Sequence, residues 1–168
     1  MGFSIIPRIR INSVLELTPE FLLARGISLL MLDLDNTLAP YSGSAPSEEI
    51  FRWKERMNEA GVTLFIVSNT HTDRAKKFAA LWGVPYVNSA RKPRDIGISK
   101  ALEQTGKTPA QSALAGDQLF TDVLGANLAG LCSIVVEPIE LKNLFYILRY
   151  GIEVPFRICR RKETIHYE

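Results

Sequence analysis

Carboxylates, a lysine and small polar side chains recur in four short segments of this 168-residue chain. The segments are Asp33-Leu34-Asp35-Asn36-Thr37, Ser68-Asn69-Thr70, Arg91-Lys92-Pro93 and Gly116-Asp117, the last followed by Asp122. Four carboxylates can share one site only if a cation neutralises part of their charge. Oxygen ligands suit Mg²⁺, and the lack of histidine and cysteine in these segments argues against zinc.

A cation, a lysine and backbone N–H donors are what phosphoryl transfer needs, because charge on the equatorial oxygens must be stabilised. The sequence has no GxxxxGK[ST] loop, which argues against a nucleotide-binding P-loop. A carboxylate can instead accept the phosphoryl group directly and form an aspartyl phosphate. The residues therefore indicate phosphoryl-transfer chemistry at a magnesium site.

Short apolar runs alternate with helical patterns along the chain. The runs predict five strands, over residues 28–34, 62–67, 84–87, 112–115 and 133–136. Caps and periodicity predict helices over 48–59, from 72 or 73 to about 82, and over 95–105, 121–129 and 139–150. This alternation predicts an α/β fold, a three-layer Rossmann-like parallel sheet of about five strands with helices on both faces.

The predicted fold brings the polar segments together. Ligands bind an open α/β sheet at the carboxyl ends of its strands, and four of the five predicted strands end in or lead into these segments. The length favours one domain over 1–168, with a core over about 27–137 and a C-terminal helix and basic tail over 139–168. Only residues 39–46 separate the first segment from the next helix, so we expect no cap domain and an open site with 39–46 as a flap.

Composition and charge exclude several classes of protein. With 46% hydrophobic residues and a net charge of +2, general disorder is excluded, and two cysteines are too few for a disulfide scaffold. No stretch approaches the ~20 apolar residues of a membrane span, and no signal peptide is recognisable, so we expect a cytoplasmic protein. Six basic and three acidic residues from 142 to the end give +3, which leaves −1 for residues 1–141. No nucleic-acid partner is expected from so weak a basic excess.

Four segments of the sequence resemble, in order, the four motifs of the haloacid dehalogenase (HAD) superfamily of aspartate-dependent phosphatases. They are DLDNTL, SNT, RKP and GDQLFTD. The resemblance covers about residues 29–136. Within the superfamily the chain is most similar to the capless, IIIA-type YqeG-like phosphatases, which in turn resemble the mitochondrial phosphatidylglycerophosphate phosphatases. The resemblance implies a Mg²⁺-dependent phosphomonoester hydrolase with an aspartyl-phosphate intermediate, acting on a large or lipid-linked substrate such as phosphatidylglycerophosphate.

The resemblance also implies which residues carry the reaction. Asp33 is the expected nucleophile. Asp35 is the expected acid that protonates the leaving oxygen and then the base that activates water. Lys92 holds the nucleophile and the phosphate and offsets their charge. These three residues form the expected catalytic set.

Metal and phosphate ligands are implied in the same way. The metal site combines Asp33, Asp117, the backbone carbonyl of Asp35, and Asp122, which orients a water ligand or Lys92. Ser68 and the N–H of Asn69 bind phosphate oxygens, and Thr37 fixes the loop after the first strand.

Several residues retain a plain structural interpretation. Asp122 could cap the helix over 121–129, and His71, next to the second motif, is better read as a solvated or capping histidine. Trp53 and Trp82 are expected in the core. Cys132 and Cys159 are expected to be unreactive small residues.

The last helix leaves three alternatives open. Apolar residues cover more than half of its circumference, and basic residues flank and follow it. It could be a core helix with a basic tail, a subunit interface of a homo-oligomer, or a segment that binds the membrane at its inner face through apolar and basic side chains.

Two other functions compete with a phosphatase for lipid-linked substrates. One is a phosphatase that acts on another macromolecule, either a nucleic-acid end or a phosphoprotein. The other is a non-catalytic module that binds phosphate or a partner, but such a module would be expected to lose Asp33 or Asp35, and both are present.

Overall fold

The computed structural model describes residues 3–43, 45–141, 144–162 and 165. Its centre is a six-stranded parallel sheet in the order β1-β6-β5-β2-β3-β4. The strands are β1 (Ile9–Arg10), β2 (Leu29–Leu32), β3 (Thr63–Val67), β4 (Tyr86–Val87), β5 (Ser112–Gly116) and β6 (Cys132–Val135). The predicted parallel α/β sheet is therefore confirmed.

The five predicted strands are present, and one strand was missed. β1 is only two residues long and pairs Ile9 with Ile134 of β6. Two residues carry no periodicity, so only this distant pairing makes β1 a strand.

Helices cover both faces of the sheet. They are α1 (Pro19–Leu23), α2 (Glu48–Glu59), α3 (Arg74–Trp82), α4 (Ile96–Thr105), α5 (Leu124–Leu128) and α6 (Leu144–Ile158). One core cluster joins the sheet to α2 and α3 and contains the buried Trp53 and Trp82, while a second lies under α4 and α5 around Phe65 and Ile98. The three predicted layers are present.

Local signals set most helix ends. The Ser47 hydroxyl accepts a hydrogen bond from the Ile50 amide at 3.4 Å and caps α2. Gly83 and Gly106 end α3 and α4 in the left-handed conformation that glycine adopts at little cost. The segment predicted as a helix over 121–129 instead begins with a wider turn at Leu119–Val123 and continues as α5.

The prediction of a last helix over 139–150 is wrong at both ends. Residues 139 and 140 are bound to Asn36: the Ile139 amide donates to the Asn36 carbonyl at 3.2 Å, and the Asn36 side chain donates to the Glu140 carbonyl at 2.8 Å. These contacts hold the chain out of a helix. The helix also continues past residue 150 and ends at Ile158, and its last two turns bury Glu153 and Arg157.

Residues 33–47 lead directly into α2 and residues 68–73 into α3, so the described residues form no cap domain. Of the segments predicted from sequence, Ser44 of the flap, Lys142, and Glu163 and Glu168 of the basic tail lie outside the described residues. Among the described helices, none has the length and hydropathy required to cross a bilayer.

Candidate active site

The four polar segments meet at the carboxyl edge of the sheet. Asp33 directly follows β2, Ser68 follows β3, Lys92 lies in the loop after β4, and Asp117 follows β5. Parallel register aligns these ends, because Leu32 lies opposite both Ile66 and Ala115. The Ala90 amide also donates to the Ser68 carbonyl at 2.9 Å, so the loops after β3 and β4 are held side by side.

Three buried carboxylates form one cluster. Asp33, Asp117 and Asp122 each place an oxygen within 4.8 Å of the others. Asp117 Oδ1 is buried and accepts no hydrogen bond from any residue that the structure describes. A buried oxygen without a donor is costly unless a cation binds it. An all-oxygen set with such an atom fits Mg²⁺.

Lys92 joins two of these carboxylates. Its Nζ lies 2.6 Å from Asp33 Oδ1 and 2.7 Å from Asp122 Oδ1, and the side chain is buried. Asn69 fixes the lysine backbone, since its Oδ1 accepts from the Lys92 amide at 2.8 Å and its Nδ2 donates to the Lys92 carbonyl at 3.0 Å. Sequence reasoning placed only the backbone N–H of Asn69 at the phosphate and missed this side-chain role.

The charges in the cluster are not balanced. Burial raises the pKa of Asp33 to about 6, and the charge of Asp122 acts in the same direction, while Lys92 opposes them. Burial and the charges of Asp122 and Asp33 hold the pKa of Asp117 well above its usual value. Burial alone would lower the pKa of Lys92, but the two carboxylates outweigh it and raise that pKa. Lys92 and Arg149, which lies 3.3 Å from Asp117, together still leave the three carboxylates short of positive charge.

Asp35 lies outside this cluster. Its side chain pairs with the guanidinium of Arg74, the first residue of α3. Arg74 also donates from Nη2 to the Pro40 carbonyl at 2.7 Å and from Nε to the Gly43 carbonyl at 3.1 Å. Arg74 therefore ties the 39–46 flap to α3 beside Asp35. Sequence reasoning missed Arg74, although a basic residue in the first turn of a helix opposes the helix dipole and could have drawn attention to it.

The other predicted residues lie at the same edge. Thr37 is buried, and its hydroxyl has no hydrogen-bond partner in the described part of the chain. The Ser68 hydroxyl accepts from the Thr70 amide at 3.2 Å. Asp122 Oδ2 accepts from the Gln118 amide at 3.1 Å, and Asp122 does not cap α5, whose N-cap residue is Val123. His71 is exposed, and its Nδ1 lies 2.9 Å from the Ser89 hydroxyl.

Close packing at Gly116 places Asp122. A β-carbon on Gly116 would lie 2.3 Å from both the carboxyl carbon and Oδ2 of Asp122. Only glycine leaves room for the carboxylate that contacts Lys92.

Charged residues of α6 contact the Asp117 loop and support it. Arg149 Nη2 lies 3.3 Å from Asp117 Oδ2, and Arg157 donates to the Asp117 backbone carbonyl. Glu153 Oε1 accepts from the Leu119 amide at 3.2 Å, and its Oε2 pairs with Arg157 at 2.9 Å. Sequence reasoning missed these residues. The available signal was the four-residue spacing of Glu153 and Arg157 on the face opposite the apolar one.

Residues 3–140 of the chain match the family described as mitochondrial PGP phosphatase, in which PGP stands for phosphatidylglycerophosphate. This chain belongs to that family. The chain is 34% identical to the probable phosphatase YqeG of Bacillus subtilis, over 94% of this chain and 93% of the relative. It is 27% identical to phosphatidylglycerophosphate phosphatase 1 of Arabidopsis thaliana, over 94% of this chain but only 48% of that longer protein.

A solved structure shows the same fold. The cobalt-bound deoxy-D-mannose-octulosonate 8-phosphate phosphatase of Haemophilus influenzae superposes with a TM-score of 0.54 and 15% identity, over 77% of this chain and 89% of its own. Family membership identifies the protein as a phosphatase. Its fold is also that of a putative HAD-superfamily (subfamily III A) hydrolase of Legionella pneumophila, with a TM-score of 0.52 and 16% identity, over 77% of this chain and 74% of that one. The predictions of superfamily and of a phosphatase are confirmed.

Proposed function

We propose that the protein is a Mg²⁺-dependent phosphomonoester hydrolase that forms an aspartyl phosphate on Asp33 and acts on a lipid-linked substrate such as phosphatidylglycerophosphate. The observation that carries the proposal is the cluster of Asp33, Lys92 and Asp117. The first carboxylate has a lysine at 2.6 Å, and the last has a buried oxygen with no donor from the described residues. This is a nucleophile beside a fixed positive charge and a place for a cation.

In the first step an Asp33 oxygen attacks phosphorus and forms an O–P bond. The bond between phosphorus and the ester oxygen breaks, and that oxygen leaves with the electron pair and takes a proton from Asp35. In the second step Asp35 takes a proton from water as the water oxygen attacks phosphorus. The Asp33–phosphorus bond breaks, which returns the carboxylate and releases inorganic phosphate.

The remaining residues stabilise the negative charge of the phosphoryl group and hold it in place. Lys92 offsets the negative charge that gathers on Asp33 and the phosphoryl oxygens. Ser68 and the backbone N–H of Asn69 bind phosphate oxygens, and Thr37 fixes the loop that carries Asp33 and Asp35. Asp33, Asp117 and the Asp35 carbonyl would hold Mg²⁺, with Asp122 orienting a water ligand or Lys92, and the ion would supply further positive charge at the phosphoryl group.

The contact with Arg74 sets a condition on Asp35. A guanidinium beside a carboxyl favours the ionised form, whereas an acid that protonates the leaving oxygen must hold a proton. Arg74 contacts both Asp35 and the flap, so the phosphate of an incoming substrate would be a second anion, besides Asp35, for its guanidinium. We infer that the phosphate of the substrate competes with Asp35 for Arg74 and so weakens the Arg74–Asp35 contact.

The lipid-linked substrate is supported by family membership and by the absence of a cap domain among the described residues. An open edge can accept a headgroup that stays attached to a bilayer, since no cap domain has to close over the substrate. A substrate in a bilayer also implies peripheral contact of the protein with the membrane.

Phosphate release from phosphatidylglycerophosphate in mixed micelles tests this function, with Mg²⁺ and with EDTA. Glycerol 3-phosphate, a 5′-phosphorylated oligonucleotide and a phosphopeptide serve as competing substrates. We expect the lipid to be preferred and EDTA to abolish release. A clear preference for the oligonucleotide or the phosphopeptide would overturn the lipid substrate.

The Asp33→Asn variant tests the nucleophile in the same assay. The amide is isosteric but far less nucleophilic, so turnover should fall at least about a thousandfold while the circular dichroism spectrum stays that of the folded protein. Turnover close to that of the unchanged protein would reject Asp33 as the nucleophile.

A further inference from the structure

Helix α6 carries its charged side chains inward and its apolar side chains outward. Glu153 and Arg157 are buried, at 0% and 1% exposure. The outer face is apolar and highly exposed, with Leu144 at 70% and Phe145 at 69%. It also contains Ile147, Leu148, Ile152 and Ile158. A surface helix normally has the opposite arrangement, so burial in the core does not explain this face.

The outer face belongs to the same edge of the molecule as the carboxylate cluster. Tyr146 stacks on Tyr41, which follows β2, with ring centroids 4.9 Å apart. Arg149 reaches Asp117 after β5, and the Tyr150 hydroxyl donates to Glu137, two residues after β6, at 2.6 Å. These contacts lay α6 across the carboxyl ends of three strands, with its apolar face turned away from them.

Positive charge lies at the C-terminal end of this face. Glu153 is the only acidic residue in the sequence of α6, and it is buried. Arg160, Arg161 and Lys162 follow the helix and are exposed, and the Lys162 ammonium also lies 3.4 Å from Glu137 Oε1. An apolar helix face with basic and no exposed acidic side chains complements an anionic lipid surface.

We propose that the outer face of α6 docks on an anionic lipid bilayer. Leu144, Leu148 and Ile152 enter the boundary between headgroups and acyl chains, and the basic residues after α6 contact anionic headgroups. The inference rests on the proposed lipid-linked substrate and adds the surface that brings the Asp33 edge to it. Docking in this orientation places the cluster next to the layer that holds lipid phosphomonoesters.

Co-sedimentation of the full chain with vesicles tests the proposal, in EDTA and without substrate. The vesicles contain phosphatidylcholine alone or phosphatidylcholine mixed with phosphatidylglycerol. We expect binding to the mixed vesicles that weakens as salt is added. The Leu148→Glu/Ile152→Glu double variant should lower the partition coefficient at least about tenfold, because two charges would have to enter the interface.

The matched control is Leu81→Glu, which changes an exposed leucine on α3, at 59% exposure. This variant should bind vesicles as the unchanged protein does, and circular dichroism confirms that all variants are folded. Equal loss of binding in the control would overturn the role of α6. No sedimentation with either vesicle would overturn the docking itself.

A second copy of the chain is the competing occupant of this face. Sedimentation equilibrium that shows a dimer, made monomeric by the double variant, together with no vesicle binding, would overturn the proposal in favour of a subunit interface. Phosphate release in micelles keeps the two proposals apart. Release without vesicle binding rejects docking and leaves the function standing, and vesicle binding without release rejects the function alone.

Discussion

Lys92 Nζ and Asp122 Oδ1 lie 2.7 Å apart, and both side chains are buried. The same ammonium also contacts Asp33, so Asp122 reaches the proposed nucleophile through Lys92 as well as through its own charge. Asp122 is therefore a positioning residue in our interpretation. It holds the lysine in place and, by its charge, makes Asp33 harder to ionise.

Asp122→Asn separates these two effects. The amide keeps the size of the side chain and an oxygen for the Gln118 amide, but it removes one carboxylate from Lys92. We expect turnover at neutral pH to fall about tenfold to a hundredfold, because Lys92 loses an anchor. The acid limb of the pH–rate profile should move to lower pH, since the charge of Asp122 contributes to the raised pKa of Asp33. Asp95→Asn, at an exposed carboxylate, should move neither quantity; an unmoved acid limb in Asp122→Asn would contradict the charge effect.

The raised pKa of Asp33 predicts that this carboxylate destabilises the metal-free fold at neutral pH. Its pKa is about 6 in the folded protein, whereas that of an exposed aspartate is 3.8. Between those values the folded state binds more protons, so its contribution to the free energy of unfolding falls as pH rises through about 6. In EDTA at pH 7, Asp33→Asn should therefore be more stable than the unchanged protein by about 3 kcal/mol, at about 1.4 kcal/mol for each unit of pKa difference.

Urea denaturation of both proteins from pH 4 to pH 7 measures this difference. The advantage of Asp33→Asn should be small at pH 4 and vanish below it, because the carboxyl is protonated in both states only below about 3.8. Saturating Mg²⁺ should raise the melting temperature of the unchanged protein by about 5–10 °C and remove the advantage. An advantage that is independent of pH would show that it does not come from ionisation of Asp33.

Arg157→Met should strongly destabilise the protein. The variant leaves Glu153 buried without its guanidinium partner and takes donors from the Val136 and Asp117 carbonyls. Loss of one partner from a buried ion pair costs about 3–5 kcal/mol. Chemical denaturation measures the loss, and Arg161→Met, at an exposed site, should change stability by less than about 0.5 kcal/mol. A loss as small as that of Arg161→Met would mean that α6 does not brace the Asp117 loop.

Gly116→Ala should lower both stability and turnover. Its new methyl group would overlap the Asp122 carboxyl, at 2.3 Å, and push it away from Lys92. Overpacking of this kind costs about 1–3 kcal/mol. The matched change Gly151→Ala meets no atom of the described chain within 4 Å and lies in α6, so it should be neutral or slightly stabilising. The melting temperature and the turnover of each variant measure the difference. Equal values for Gly116→Ala and Gly151→Ala would contradict the overlap with Asp122.

Local signals in the sequence were sufficient for most of the fold. The apolar runs that became β2, β3 and β5 are long enough to show burial, and Ser47, Gly83 and Gly106 mark helix ends within one turn. The motif residues could be recognised because each lies at the end of a predicted strand or a few residues after it.

Other features had no local signal. The two residues of β1 form a strand only beside β6, and the start of α6 depends on hydrogen bonds to Asn36, more than a hundred residues earlier. The apolar pattern of the last helix was plain in the sequence. Its outward orientation was not, because the inner face is occupied by a buried ion pair.

The sequence by itself determined the alternation of β2 to β6 with helices, the residue types of the motifs and the likeness to a phosphatase family, since these depend on neighbouring residues. Only the tertiary structure decided that Arg74 pairs with Asp35, that Asn69 holds the Lys92 backbone and that α6 braces Asp117. Such contacts join side chains from distant parts of the chain. Their energies depend on distance and burial, which are properties of the packed molecule and not of any short segment.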